Sequence, residues 1–145
     1  KNITRVIPMP FIGIKKGPVI ICPRDKKVKK FFNKLGKSIE IKNEKISKNF
    51  WTTSSFMAPF YHMMATTSDW LVRRGVNKEA AEDYTREFFL ALSQDSLFKK
   101  KLSLKQLTSE SQTPGGINAQ ALTELKKKKF YKIQQKVLNS VFKRF

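Results

Sequence analysis

The sequence has 145 residues, 40% of them hydrophobic, with a formal net charge of +19 at pH 7. This is enough apolar material for the core of one domain, or of one domain and part of another. The distribution of these residues predicts no membrane-spanning helix, because no apolar run approaches the roughly 18–20 residues required. The sequence also shows no signal-peptide pattern. The single cysteine, Cys22, excludes an internal disulfide and a cysteine-based zinc site, so we expect a cytoplasmic protein. Because the sequence begins with Lys, we also expect a processed fragment or a partial chain.

The excess of 30 basic over 11 acidic residues favours polyanions as partners, through the release of counterions. However, 24 of the basic residues are lysines, and they are spread along the whole sequence. Surfaces that clamp phosphates and contact bases usually depend on arginine. A specific nucleic-acid interface is therefore the less favoured interpretation of the charge.

Residues 1–47 alternate between strand and helix patterns. Two β-branched runs bounded by Pro and Gly, Ile3–Ile7 and Val19–Cys22, predict strands. Asp25 is a suitable N-cap for a helix over Lys26–Leu35, and a third strand is predicted over Ser38–Ile41. Three strands and one helix leave a sheet poorly covered, which indicates the last part of a Rossmann-type α/β domain.

Residues 48–145 are predicted to form an all-α domain, because the apolar spacing lengthens from two residues to about 3.6. A long helix from Ile46 to Leu71, kinked at Pro59, is apolar on most sides. We therefore expect it to be sandwiched in a homodimer or higher homo-oligomer. The next helix begins at the N-cap Asn77, and its predicted core stripe consists of Ala81, Tyr84, Phe88 and Leu92.

The stretch Thr113–Asn118 contains the only adjacent glycine pair, preceded by a proline. Pro114 disfavours helix at the residue before it, and Gly115 and Gly116 allow backbone N–H groups to approach a ligand closely. A helix then opens near Asn118, and its first N–H groups lack internal partners and favour an anion. The pattern predicts a small anion site, suited to a carboxylate. The alternative is a tight corner between two helices.

This stretch resembles the signature of the pyrroline-5-carboxylate reductases, which is Ser/Thr-Pro-Gly-Gly-x-Thr followed by a Leu-rich helix and Gly-Phe. In this sequence the Gly-Phe is replaced by Lys129-Phe130, so only the Phe matches. Two further segments resemble the same family. Arg5-Val6-Ile7-Pro8 resembles its Arg-Val-Met-Pro, and Pro59 and Tyr61 match its Gly-Ser-Gly-Pro-Ala-Tyr. The resemblance therefore extends over nearly the whole chain.

The departures from the family pattern fall at functional positions. Phe56-Met57-Ala58 replaces the Gly-Ser-Gly before the proline, Pro8-Met9-Pro10 shortens the family's Pro-Asn-Thr-Pro, and Asn118 replaces its Thr. We therefore expect a paralogue with a shifted substrate.

The resemblance implies a mainly α fold, with a helical dimerisation domain after the last strands and helix of a Rossmann-type domain. It also implies hydride transfer from NADPH or NADH to the C=N carbon of a cyclic imino acid, as in proline biosynthesis. Substrate would be held by Thr113, Gly115, Gly116 and Asn118, with Asn118 in the catalytic position beside the imine nitrogen. Pro8 and Met9 would lie near the nicotinamide.

No Gly-x-Gly-x-x-Gly motif for the dinucleotide pyrophosphate occurs in the sequence. Alone, the chain is therefore expected to be inactive.

Two other classes of protein stay open. One is a non-catalytic dimerisation module. The other is a basic helical nucleic-acid binder that uses Lys126–Lys129 with the adjacent Phe130 and Tyr131. Neither a metal site nor catalysis is expected at His62, the only histidine, because Ala65 and Thr66 stand at the helical ligand spacings. The carboxylates Glu79 and Asp83 are interpreted as a solvated helix start rather than an acid/base pair.

Overall fold

The computed structural model describes residues 3–145, so Lys1 and Asn2 of the predicted nucleotide-binding part lie outside the described residues. The elements, in chain order, are β1 (Arg5–Pro8), a 3-10 helix (Pro10–Ile14), β2 (Pro18–Cys22), α1 (Lys26–Phe32), β3 (Lys37–Glu40), a second 3-10 helix (Glu44–Ile46), α2 (Ser47–Ser54), α3 (Met57–Arg73), α4 (Lys78–Phe98), α5 (Leu104–Glu110), α6 (Ile117–Lys127) and α7 (Phe130–Phe142). The chain is mainly α, as predicted.

The chain separates into two compact units. The N-terminal unit runs to Ser55 and includes Leu138–Phe145, and the helical unit covers Phe56–Val137. Within residues 3–145, none of the helices has both the length and the apolar character needed to cross a membrane.

The N-terminal unit contains a three-stranded sheet in the order β1-β2-β3. β1 runs antiparallel to β2, with Arg5 opposite Cys22, and β2 runs parallel to β3, with Pro18 opposite Lys37. Because parallel strands need a crossover, α1 connects β2 to β3. The central strand β2 is buried on both faces, which agrees with its continuous apolar run Val19–Cys22.

The core of this unit is centred on β2. Val19 and Ile21 on one face are 1% and 0% exposed. On the other face, Ile20 and Cys22 form a cluster with Ile41, against which Ile7 and Phe50 pack. The only cysteine of the sequence is therefore a core residue.

Helix α1 begins where the sequence predicts and ends earlier. Asp25 Oδ1 accepts hydrogen bonds from the N–H groups of Lys27, at 2.8 Å, and Val28, at 3.0 Å. The backbone N–H of Val28 is the main cause that lowers the pKa of the Asp25 carboxyl. The helix stops at Phe32 instead of Leu35, because Asn33 Oδ1 accepts a hydrogen bond from Ser38 N at 3.1 Å and directs the chain into β3.

The prediction of one long helix kinked at Pro59 is wrong, because α2 and α3 are separate helices. At the end of α2, the hydroxyls of Ser54 and Ser55 donate to the carbonyls of Trp51 and Thr52, at 2.6 and 2.7 Å. These bonds compete with helical continuation. Pro59 lies in the first turn of α3, where its missing N–H interrupts no helical hydrogen bond.

In the helical unit, α4 packs on α3 through small side chains. Ser68 on α3 is buried, and so are Ala81 and Thr85 on α4, where the Thr85 hydroxyl donates to the Ala81 carbonyl at 2.7 Å. Farther along, the rings of Phe60 and Phe89 meet edge to face at 5.7 Å. The contact thus follows an i, i+4, i+8 ridge of α4.

The predicted core stripe of α4 is wrong at three of its four residues. Ala81 is buried as predicted, but Tyr84, Phe88 and Leu92 are 61%, 45% and 52% exposed. Periodicity identified an apolar face, yet α3 covers the neighbouring ridge. Several other apolar side chains of the helical unit are more than half exposed in a single chain, among them Trp70, Leu97, Ile117 and Ile133. An apolar surface of this extent is typical of an interface.

Candidate functional site

Residues Thr113–Gly116 form a tight turn at the start of α6. Gly116 N donates to the Thr113 carbonyl at 2.8 Å, which closes a four-residue β-turn. Pro114 occupies its second position, and Gly115 occupies the third with φ +73°. A proline followed by a residue of positive φ is the signature of a type II turn.

The two glycines serve different purposes in this turn. Space around Gly115 is open, so its positive φ is what favours glycine there. At Gly116 the backbone conformation is extended, but an added Cβ would lie 3.0 Å from the Thr113 carbonyl oxygen and 3.2 Å from Thr113 Cβ. Gly115 thus supplies a backbone angle and Gly116 a close approach.

Helix α6 begins without a side-chain cap. Gly116 is its N-cap, and the first helical hydrogen bond runs from Gln120 N to the Gly116 carbonyl at 3.1 Å. The N–H groups of Ile117, Asn118 and Ala119 precede that bond and belong to the uncapped first turn. No acidic residue stands in this turn, so its partial positive charge is not offset locally. The loop therefore has the donors and the polarity that suit a carboxylate.

The side chain of Asn118 links the two ends of the loop. Its Nδ2 donates to the carbonyl of Ser111, the C-cap of α5, at 3.1 Å. One amide hydrogen is thereby occupied, and a second N–H donor and the oxygen acceptor remain for a ligand. Ser111 was missed from the sequence, because no local pattern relates a helix C-cap carbonyl to an amide seven residues later.

The structure brings Thr113, Gly115, Gly116 and Asn118 together in this loop of the helical unit, with Thr113, Gly115 and Asn118 exposed. The other two predicted site residues belong to the N-terminal unit. Pro8 ends β1 opposite Val19, and Met9 is the N-cap of the following 3-10 helix, where its carbonyl accepts from Ile12 N at 3.0 Å.

The changed residues before Pro59 surround the start of α3. Phe56 is its N-cap and Met57 its first residue, and both are half-buried. Ala58 is exposed.

The remaining ionisable candidates are placed as follows. His62 is exposed on α3. Asp83 Oδ1 lies 3.1 Å from Arg86 Nη1, and Glu82 Oε2 lies 2.7 Å from Arg86 Nη2. The hydrogen bond that Arg86 donates to Glu82 is the main cause that raises the pKa of the Arg86 guanidinium. Glu79 is exposed at the start of α4, and no group of three or more His, Cys, Asp or Glu side chains in residues 3–145 is arranged to hold a metal ion.

Comparison with known proteins places this architecture among the reductases. The sequence model described as "Pyrroline-5-carboxylate reductase dimerisation" matches residues 44–145. No curated protein sequence matches the chain.

Three solved structures share the fold over 97% of this chain. They are a pyrroline carboxylate reductase of Plasmodium falciparum with NADP bound (TM-score 0.80, 22% identity), a pyrroline-5-carboxylate reductase of Coxiella burnetii (0.82, 21%) and a 1-pyrroline-5-carboxylate reductase of Streptococcus pyogenes (0.79, 18%). The chain spans 58%, 55% and 57% of the length of these proteins, respectively.

Proposed function

The chain belongs to the pyrroline-5-carboxylate reductase family, and we propose that it is the C-terminal part of an NAD(P)H-dependent reductase of cyclic imino acids. In this proposal residues 1–47 end a dinucleotide-binding domain, and residues 48–145 form a dimerisation and substrate-binding domain. The main support is the Thr113–Asn118 loop, in which a type II turn leads directly into an uncapped helix.

The substrate carboxylate would accept hydrogen bonds from the N–H groups of the first turn of α6. Gly115 and Gly116 add no side chain between this backbone and the ligand. Thr113, at the start of the turn, offers a hydroxyl to the same anion. The turn would thus orient the imino acid by its carboxylate and hold the ring at a fixed position beside the loop.

Asn118 would lie beside the imine nitrogen, where the family has Thr. Its amide can donate a hydrogen bond as a hydroxyl does, but it cannot readily release a proton. It is also longer than Thr and is held by Ser111. These differences, together with Phe56 and Met57 in place of small residues, support an imine substrate that differs from pyrroline-5-carboxylate.

The cofactor would be NADPH or NADH, which supplies the hydride. Among the described residues, the turn from β2 into α1 is Pro23-Arg24-Asp25, which lacks the glycines that cradle a pyrophosphate. Residues 3–145 therefore offer no glycine-rich backbone cradle for the pyrophosphate of the cofactor. Their contribution would be limited to Pro8 and Met9 near the nicotinamide.

We also propose that the active protein is a homodimer or a higher homo-oligomer. The family model that matches residues 44–145 describes a dimerisation domain. The half-exposed apolar stripe Tyr84, Phe88 and Leu92 on α4 is the kind of surface that a second copy would cover.

The test is NAD(P)H oxidation by the complete protein that contains this chain, with pyrroline-5-carboxylate and with cyclic imino acids of other ring sizes. Turnover of any of them supports the proposal. The variant Asn118→Thr should change the relative turnover among the imines, and an unchanged ranking would refute a specificity role for Asn118. If no imine is reduced although NADPH binds and the protein dimerises, the reductase proposal fails and the non-catalytic dimerisation module becomes the better assignment.

A further inference from the structure

A groove on the N-terminal unit is lined mainly by cationic side chains. It encloses about 500 Å³ and is lined by Arg24, Lys26, Lys29, Lys30, Asn33 and Glu40. Four of these residues lie on α1 or just beyond it, and each stands three or four positions from two of the others, which places them along one side of the helix. The groove is therefore a continuous cationic face and not a scatter of surface lysines.

The charges in the groove are poorly balanced. Lys29 Nζ lies 2.6 Å from Glu40 Oε2, and Glu40 is the one carboxylate among the lining residues. None of the ion pairs found within residues 3–145 includes Arg24, Lys26 or Lys30. Four cations against one anion leave the lining with a net charge of +3. Lys26 and Lys30 also stand at i and i+4, where like charges repel.

Asp25, adjacent in sequence to Lys26, is not among the lining residues, and its oxygens accept hydrogen bonds from other groups. Its Oδ1 accepts from the N–H groups of Lys27 and Val28, and its Oδ2 accepts from Thr4 Oγ1 at 3.3 Å. Asp25 also caps α1, so a ligand in the groove would be bound by side chains and not by the helix N-terminus.

Three lining residues, Lys29, Asn33 and Glu40, are already fixed in place by hydrogen bonds of the fold. The Lys29–Glu40 bond joins α1 to β3, and a side chain that is already ordered loses less conformational entropy when it binds a ligand. Asn33 Oδ1 accepts from Ser38 N, so the part of this amide that can meet a ligand is its NH₂ donor. Apart from Glu40, the lining side chains thus offer hydrogen-bond donors to a ligand.

We propose that this groove binds a phosphate chain, as carried by a nucleoside triphosphate or by inorganic polyphosphate. A single carboxylate or monophosphate would neutralise only part of the charge, whereas a phosphate chain bears several charges and only acceptors. Lysine binds phosphate as a point charge, and Arg24 can bind it with two parallel hydrogen bonds. The volume lies within the roughly 300–1,000 Å³ of small-molecule sites.

The experiment is isothermal titration calorimetry of the complete protein with inorganic triphosphate, at a salt concentration of about 150 mM that screens long-range attraction. The groove variant is Arg24→Gln, Lys26→Gln and Lys30→Gln combined. Its matched control is Lys126→Gln, Lys127→Gln and Lys128→Gln, which removes the same charge from the helical unit. Circular dichroism checks that both variants are folded.

We expect the groove variant to bind triphosphate at least about tenfold more weakly, because several charge-assisted hydrogen bonds are lost, and the control to change by less than about threefold. Equal losses in the two variants would show attraction to net charge alone and overturn the proposal. Undetectable binding by the unmodified protein at millimolar triphosphate would also overturn it.

Removal of the groove's one carboxylate provides a test of opposite sign. Glu40→Gln should strengthen triphosphate binding, whereas Glu124→Gln, beside the Lys126 run, should not.

A parallel titration with ATP separates the sources of the phosphate chain. Affinity equal to that of triphosphate assigns the groove to the chain itself, and tighter binding assigns it to a nucleotide. ATP binding that survives in the groove variant contradicts the assignment.

Discussion

The side-chain amide of Asn118, in the first turn of α6, donates a hydrogen bond to the backbone carbonyl of Ser111 at the end of α5. The bond spans seven residues and encloses the whole Pro-Gly-Gly turn. It satisfies one of the carbonyls that a helix leaves without a partner at its C-terminus. The residue proposed to contact substrate therefore also fixes the shape of the loop.

We expect Asn118→Ala to destabilise the helical unit by about 0.5–1.5 kcal/mol, the usual net contribution of one hydrogen bond. Because the site is exposed, water can replace the lost donor and the lower part of that range is expected. Chemical denaturation gives the value. The control is Gln134→Ala on α7, an exposed helical position of the same unit where alanine should have no destabilising effect. Equal values for the two variants would mean that the bond to Ser111 contributes nothing.

Gly115→Ala should reduce stability by about 1–2 kcal/mol, because a Cβ is unfavourable in the left-handed region. Gly115→Asn should have a smaller effect, since asparagine tolerates that region better than alanine. Both side chains would meet open space, so any difference between them reports the backbone angle and not a clash. Thermal unfolding of the two variants provides the comparison, and alanine as stable as asparagine would contradict a type II turn.

The Asp25 carboxyl should make stability depend on pH. Hydrogen bonds from Val28 N and Lys27 N hold its pKa below the usual range, so the folded state favours the ionised form. Its contribution is therefore complete above the unfolded-state pKa of about 3.9 and is lost as the pH falls through the lower folded-state pKa.

The matched variant is Asp25→Asn, which keeps an oxygen that can cap α1 but does not titrate. The difference in unfolding free energy between the two proteins should shrink as the pH is lowered from about 5 to about 2. A pH-independent difference would exclude this source of acid sensitivity.

Leu92→Glu should disrupt self-association, because it places a charge in the apolar stripe that a second copy is proposed to cover. We expect the dimer dissociation constant to rise by about a hundredfold or more, since burial of an unpaired carboxylate is costly. Gln94→Glu adds the same charge two residues away, on another side of α4, and should leave association unchanged. Analytical ultracentrifugation measures both constants. If both variants dimerise as the parent does, the interface does not include this stripe.

Interactions local in sequence were predictable. Asp25 and Asn77 each cap a helix as predicted, and at the start of α5 Ser103 forms a reciprocal capping box with Gln106 three residues later. Such bonds depend on residues two or three positions apart, so the sequence contains the whole interaction.

Interactions between elements were predicted less well. The apolar period of α4 indicated a buried face but could not show that α3 would cover only the Ala81–Thr85 ridge. The break between α2 and α3 was missed, because serine hydroxyls compete with a helix that apolar periodicity otherwise favours. In the loop, proline and glycine indicated the turn, whereas the partner of Asn118 depends on where α5 ends. The roles assigned to the site residues stay predictions.

The thiol of Cys22 can report local opening of the N-terminal sheet. It is the only thiol in the sequence, and its central strand keeps it 5% exposed. A thiol reagent can modify it only during transient openings of the sheet, so the labelling rate equals the opening rate when labelling is faster than reclosing. The helical unit gives no signal in such an experiment. Local opening of the N-terminal unit can therefore be timed in this chain without an added probe.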